Sequence, residues 1–152
     1  MTRLLVPTLL ALLVAARLEA QASVVGERDL AFGAVIRGVQ TSVEPTDPVR
    51  SGRFRVTYLR NRQVRVNLTL PRQLDRVAGG ASMPINFRGG DAIARGTDGA
   101  SVPVTFNPNA PITFSLLTSP DFIVSLGGRV SPRANQATGL YRGTVVLTCT
   151  FF

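Results

Sequence analysis

The chain has no histidine, no lysine and no tryptophan, and a single cysteine, Cys149. One cysteine excludes an intramolecular disulfide. The missing imidazole excludes a Ser-His-Asp triad, a Cys-His pair and any metal site built on histidine or several cysteines. Stability must then come from packing and strand pairing alone, and catalysis has lost most of its usual tools. The composition reads as a non-enzymatic protein with no cofactor and no metal. Every basic residue is arginine, a replacement so complete that it reads as compositional bias and carries no functional weight. Long hydrophobic runs are scarce too, and the one present opens the chain.

In that opening, MTRLLVPTLLALLVAARLEAQA, Arg3 supplies a short basic region and Leu4 to Ala16 form an apolar run too short for a membrane span. Ala20-Gln21-Ala22 is a small-x-small cleavage site, so residues 1–22 are expected to be a secretory signal peptide, cleaved after Ala22. Residues 23–152 remain, a length suited to a single domain with one core. Losing Arg3, Arg17 and Glu19 changes the net charge from +8 to about +7. No later segment is long and apolar enough to be a transmembrane helix, so the mature chain is expected to be secreted.

Beyond the leader, helical periodicity gives way to short alternating runs separated by Gly, Pro, Asn and Asp, the pattern of an all-β sandwich or barrel. In RFRVTYL, Phe54, Val56 and Tyr58 share one face, while Arg53, Arg55 and Thr57 share the other. In VRVNLTLP, Val64, Val66, Leu68 and Leu70 oppose Arg65, Asn67 and Thr69. Arg60 to Gln63 between them reads as a hairpin loop, which predicts an antiparallel pair with one wet face. Further strands are expected at Leu30–Phe32, Val35–Val43, Met83–Phe87, Val102–Phe106, Ile112–Leu117, Phe122–Leu126 and Tyr141–Phe152. The Gly/Asp-rich stretch RGGDAIARGTDGAS reads as a loop. The fold class expected is an antiparallel β-sandwich of about seven to nine strands.

The last strand alternates most cleanly: Val145, Leu147, Cys149 and Phe151 are apolar and expected inside, opposite Val146, Thr148, Thr150 and Phe152. Cys149 among them reads as a small buried hydrophobe, with an intermolecular bridge as the alternative. Arg53, Arg55, Arg60, Arg62 and Arg65 would gather on one exposed face as a candidate anion-binding site for acidic polysaccharide or another acidic polymer. The plainer reading is a solvated sheet face. Tyr58 should point inward, so the face lacks an aromatic platform and no specific nucleic acid is expected. Asp91 and Asp98 lack calcium-loop spacing and read as turn residues. Asn67-Leu68-Thr69 matches a glycosylation sequon of the kind that is frequent by chance.

The segment LGGRVSPRANQATGLYRGTVVLTCTFF resembles the closing signature of the bacterial domain of unknown function 4402. That signature is carried here by Gly127, Gly128, Asn135, Gln136, Gly139, Tyr141, Gly143, Thr144 and Phe152. LAFGAVIRG, RFRVTYLRNRQVRVNLTLP and SMPINF, with Met83 and Phe87, follow the family's other landmarks in order, so the resemblance runs from Leu30 to Phe152. The family is similar to spore coat protein U and chaperone–usher fimbrial subunit domains. The resemblance implies an immunoglobulin-like sandwich in the periplasm or at the bacterial cell surface, with one strand missing. A periplasmic chaperone supplies that strand first and a like subunit afterwards.

Backbone hydrogen bonds give such strand addition its affinity, and pockets for alternate side chains set its register. The expected strand-exchange groove is bordered by Val145, Leu147, Cys149 and Phe151, with Gly139 and Tyr141 shaping the turn into it. Only SVVGERD lies between the expected cleavage site and Leu30, which is short for a donor segment. Three readings stay open: Ser23 to Phe32 doubles as donor, the subunit terminates a fibre, or the sandwich is complete. The last would make the chain a self-complete secreted module that binds anionic glycan through its arginine face. A small carboxylate hydrolase is disfavoured by sparse acids in turn-like settings.

Overall fold

A computed structural model describes residues 22–57, 63–115, 119 and 121–152. The chain is all-β, with thirteen strands and no helix among the described residues. In order they are β1 (Ser23–Arg28), β2 (Thr41–Val43), β3 (Gly52–Thr57), β4 (Val64–Thr69), β5 (Gln73–Arg76), β6 (Ser82–Asn86) and β7 (Ala92–Gly96). After these come β8 (Val104–Phe106), β9 (Ile112–Phe114), β10 (Asp121–Leu126), β11 (Gly128–Val130), β12 (Tyr141–Arg142) and β13 (Val146–Phe151).

Every pairing is antiparallel. One sheet runs β1-β3-β10-β7-β8, a second β12-β5-β6-β11-β2, and a third β13-β4-β9. The main core joins the first sheet to the third in the manner of a sandwich: Val56, Phe122, Val124 and Leu126 on one side, Val64, Val66, Leu68 and Leu147 on the other. Alternation along the strands decides these faces, because successive side chains point to opposite sides. In β4 the pattern is strict: Val64, Val66 and Leu68 are buried, while Arg65, Asn67 and Thr69 are exposed.

Long ribbons pass from one sheet into another, which raises the strand count above the seven to nine expected. β10 continues into β11 across Gly127, leaving the first sheet and joining the second. A Cβ at Gly127 would fall on the Val43 carbonyl oxygen and 2.8 Å from Pro45 N, so only glycine lets the ribbon turn there. The run expected from Tyr141 to Phe152 is likewise split, into β12 beside β5 and β13 beside β4.

The expected β3–β4 hairpin is overturned. β3 pairs with β1 and β10, whereas β4 pairs with β13 and β9, so the two lie in different sheets. Alternation specifies which face of a strand is apolar but not its neighbour; of the expected hairpin loop, residues 60–62 lie outside the described residues. Leu30–Phe32 is not a strand, and of Val35–Val43 only Thr41–Val43 is. The Gly/Asp-rich stretch, read as a loop, contains β7. Ala92 and Ala94 are buried there, with Phe106 directly across the ladder from Ala92. Their small side chains leave room for the aromatic row: the Phe106 and Phe114 rings lie 5.6 Å apart and Phe114 and Phe122 5.7 Å. Edge-on and tilted ring pairs of this kind pack favourably.

Candidate functional site

A second, smaller core sits under the second sheet. Only Met83, Ile85 and Val130 are buried in it, ringed by half-buried Phe32, Val35, Leu74, Phe87 and Tyr141. This core is open on one side. A cleft of about 900 Å³ lies there, bounded by Gly26 and Arg28 at the end of β1 and by Gly143 and Val145 ahead of β13. Leu126, Val130, Met83 and Ile85 contribute to its lining. Each flanking strand has one partner only: β1 pairs with β3, and β13 with β4. Among the described residues the other edge of each is unpaired, so the backbone groups there remain available.

Both walls are held firmly. On the β1 side, Arg28 donates to the carbonyl oxygens of Ser51 (Nε, 2.7 Å), Pro48 and Asp47 (Nη2, 3.4 Å), and to Ser51 Oγ (Nη2, 2.8 Å). Glu27 reaches across to β3, where Arg55 Nε donates to its Oε1 at 2.5 Å. Arg53 Nε stands 2.7 Å from Glu27 Oε2 without the alignment of a hydrogen bond, so that contact is one of charge. The Arg55 hydrogen bond and the two guanidinium charges hold the Glu27 carboxyl below its usual range. The loop that Arg28 grips is itself ordered by Asp47, whose Oδ1 accepts from the backbone N–H of Arg50 and Val49. Those bonds pull its pKa down to about 2.

On the β13 side, the Tyr141 hydroxyl donates to Ala137 O at 2.7 Å and accepts from Gln136 Nε2 at 2.6 Å. Buried Gln136 also donates from Nε2 to Ser82 O at 3.1 Å, tying this corner to β6. Gly139 has φ of 143°, and a Cβ there would meet Arg76 Nε at 2.8 Å, the atom that donates to Thr138 O. At Gly143 a Cβ would meet Leu74 at 2.8 Å. A smaller pocket of about 270 Å³ adjoins the cleft beside Tyr141.

Of the four residues expected to border a groove, only Val145 lines the cleft. Leu147 is buried in the main core, and Cys149 and Phe151 are half-buried against it. Burial pushes the Cys149 thiol up to about 11. Much of the rest of the lining comes from the end of β1, from residues just after it and from the second core, with Phe54 of β3 and Leu126 of β10 added from the first sheet. Met83 is expected in a strand, Met83–Phe87, and as a landmark of the resemblance, but not as part of a cleft. Gly139, Tyr141 and Gly143 line the cleft, whereas Gly127 and Gly128 sit where β10 passes into β11, and a Cβ on Gly128 would press the Phe87 ring at 3.0 Å. Thr144 is exposed between β12 and β13.

The three described members of the expected arginine face, Arg53, Arg55 and Arg65, are split between two sheets. Arg53 and Arg55 share Glu27, and Arg55 also stands 3.8 Å from Asp121. Arg65 projects from β4 in another sheet, across from Thr150 and Thr113. Arg60 and Arg62 lie outside the described residues. Exposed pairs of this kind contribute little stability, but they remove much of the free charge that an anion site needs. Asp98 is a turn residue, accepting from the N–H groups of Ala100 and Ser101 at 3.1 Å each. Asp91 is buried, and its Oδ2 accepts from Arg129 Nη1 and from Arg88 N, both at 2.7 Å. That pair locks the start of β7 to β11 and is structural.

Among the described residues no group of three or more His, Cys, Asp and Glu could hold a metal ion, and no helix is long and apolar enough to cross a membrane. No protein-family model matches the chain, and no curated protein matches it.

Proposed function

We propose that this chain is a non-enzymatic, exported structural subunit of a surface assembly of the fimbrial or coat type. In this reading residues 1–22 are a cleaved leader, and an immunoglobulin-like sandwich is completed by a strand from a periplasmic chaperone or a neighbouring subunit. The observation that carries the reading is the open second core, bounded by the end of β1 and by Gly143 and Val145 ahead of β13, two strands that each have one edge unpaired among the described residues. An apolar small molecule could cover the half-buried Phe32, Val35 and Leu74, but it could not use the backbone donors and acceptors on either side. An extended peptide satisfies both needs at once: main-chain bonds along an edge and alternate side chains into the cleft. The reading in which an arginine face binds acidic polymer is weakened because Arg53 and Arg55 share Glu27 and Arg65 lies in another sheet.

Hydrogen exchange on the full chain produced by export tests the proposal. Alone, the outward amides of β1 and β13 should exchange quickly, and co-expression with a periplasmic assembly chaperone should protect them. A lone chain that is monomeric, unfolds cooperatively and already protects both edges would sink it.

A further inference from the structure

One wall of the cleft is irregular, and its make-up bears on how a strand enters. Residues 29–33 and 35 line the cleft without joining any sheet. The segment is tied at its ends: Ala31 N donates to Arg50 O at 2.9 Å, and Gly38 N to Pro132 O at 3.1 Å. A turn in which Val39 N donates to Ile36 O at 3.1 Å finishes it. Between those ties, residues 32–35 make no backbone hydrogen bond to any described residue. Two side chains hold the middle, Phe32 and Val35, both half-buried against Met83, Ile85 and Val130. Ile36 beside them is 70% exposed.

Phe32 and Val35 are three positions apart, whereas a strand puts side chains two or four apart on one face. Gly33 accounts for the difference. Its φ of 69° is left-handed, and a Cβ there would meet nothing within 4 Å, so glycine serves the backbone turn and not the space. The segment thus supplies apolar side chains as an edge strand would, but none of the ladder bonds. It is also a partition: Gly33 and Val35 line both the cleft of about 900 Å³ and the adjoining pocket of about 270 Å³, together with Met83, Gly139 and Tyr141. Moving residues 32–37 outward would join the two spaces and uncover part of the second core.

We propose that residues 32–37 are a self-occluding strap, in which Phe32 and Val35 hold the place that side chains of the incoming strand take over. The inference deepens the strand-completion reading above and rests on it. The strap shields an apolar surface that would otherwise invite unspecific association. A strand that brings backbone bonds as well as side chains displaces it. Affinity for that strand is then reduced by the fraction of molecules in which the strap is closed.

Two readouts on the full chain test this. The first is cleavage by trypsin after exposed Arg37, followed by mass spectrometry. A strap that opens by itself should be cut at a rate nearly independent of urea below the unfolding transition. The second is binding of a fluorescent peptide of alternating valine and threonine, about nine residues and ~30 Å long when extended. Its presence should speed cleavage after Arg37 several-fold. Phe32→Ala loosens the closed strap and should tighten peptide binding on the order of tenfold. Gly33→Ala, whose methyl group touches no other residue, should do the same through left-handed backbone strain alone, and it decides the matter if Phe32→Ala fails to fold. Cleavage after Arg37 only as fast as global unfolding allows would overturn the strap. So would protection of Arg37 by the peptide, or unchanged or weaker binding by Gly33→Ala, and in each case peptide binding to the wild-type chain would leave strand completion standing. Failure of the peptide to bind wild type and variants alike would remove the strand-completion reading itself, and this inference with it.

Discussion

Replacing Gly127 by alanine should damage the ribbon that supports the cleft, and Gly26→Ala supplies an internal control. A Cβ at position 127 would lie 2.8 Å from Pro45 N and 2.9 Å from Pro45 Cδ, and on the Val43 carbonyl oxygen besides. Favourable contacts between carbon atoms need about 3.5–4.0 Å, so backbone must move by roughly 1 Å. Neither side yields easily. Gly127 N donates to Asp91 O at 2.7 Å, and the opposing segment continues from β2, which is paired to β11 from Gly128 to Val130. Overpacking of this kind costs about 1–3 kcal/mol, and each ladder bond forfeited adds about 1 kcal/mol. The expected loss is about 2–4 kcal/mol, a large share of the ~5–15 kcal/mol typical of a domain.

Position 26 differs in the one respect that matters, because a Cβ there meets nothing within 4 Å. Alanine at 26 should leave stability unchanged or raise it by up to about 1 kcal/mol through the unfolded chain. Urea unfolding of both variants checks the reasoning: with a slope of about 1–3 kcal/mol per molar, the Gly127→Ala midpoint should fall by at least ~0.7 M. A wild-type midpoint for Gly127→Ala, with unchanged slope, would refute the close approach of β2 to this corner.

Four further outcomes are expected. Asp91→Asn leaves Arg129 without its carboxylate in a mostly buried site and should cost about 3–5 kcal/mol in urea unfolding. A loss below ~1 kcal/mol would show that the pair does not lock β7 to β11. Leu147→Ala should cost about 2–5 kcal/mol, because that side chain is buried in the main core. Val146→Ala, half exposed one position earlier, should stay within about 0.5 kcal/mol; equal losses would contradict the facing of β13. Asp47 should titrate near 2 in the folded chain against 3.8 for an unperturbed carboxyl. Because its folded pKa is the lower one, its stabilising contribution is present above about pH 4 and disappears as pH falls towards 2, and an NMR titration giving an ordinary value would dispose of the Asp47 cap. The Cys149 thiol, raised to about 11 by burial, should be alkylated far more slowly at pH 8 in the folded chain than in urea, and equal rates would contradict its packing against the core.

The proposed assembly role depends on a division of labour within the fold. The main core is closed between two sheets and secures the chain, while the small core beneath the second sheet is left open. A protein arranged this way can be stable enough to persist and still gain apolar burial when a partner strand arrives. Each half-buried aliphatic or aromatic side chain covered on binding contributes at about 25 cal/mol per Å² removed from water. Part of that gain is offset by ordering the incoming segment. Backbone pairing with β1 or β13 then fixes the register that side chains alone would leave loose.

Alternation was legible wherever one face of a strand meets the core and the other meets water. Val64, Val66 and Leu68 in β4, and Leu147 in β13, stand inward as their spacing requires. β7 escaped notice for a physical reason. Its buried face is made of alanines that yield space to phenylalanines, and its flanking glycines resemble a loop. The five glycine and tyrosine positions could be singled out as a set, but nothing local said that some turn a ribbon between sheets and others line a cleft. That became visible only where a Cβ would strike Val43, Leu74 or Arg76.

Residue order alone determined that the chain is built of strands, which side of β4 and β13 faces inward, and that no disulfide ties the described domain together. These are local matters: period-two alternation and residue chemistry decide them without reference to distant parts of the chain. Tertiary structure decided the rest. It parted β3 from β4, set Arg53 and Arg55 in one sheet and Arg65 in another, and brought the end of β1 opposite the approach to β13. The reason is that a strand's partner is chosen by long-range packing and by where ribbons can cross, and neither is encoded in any short stretch of sequence.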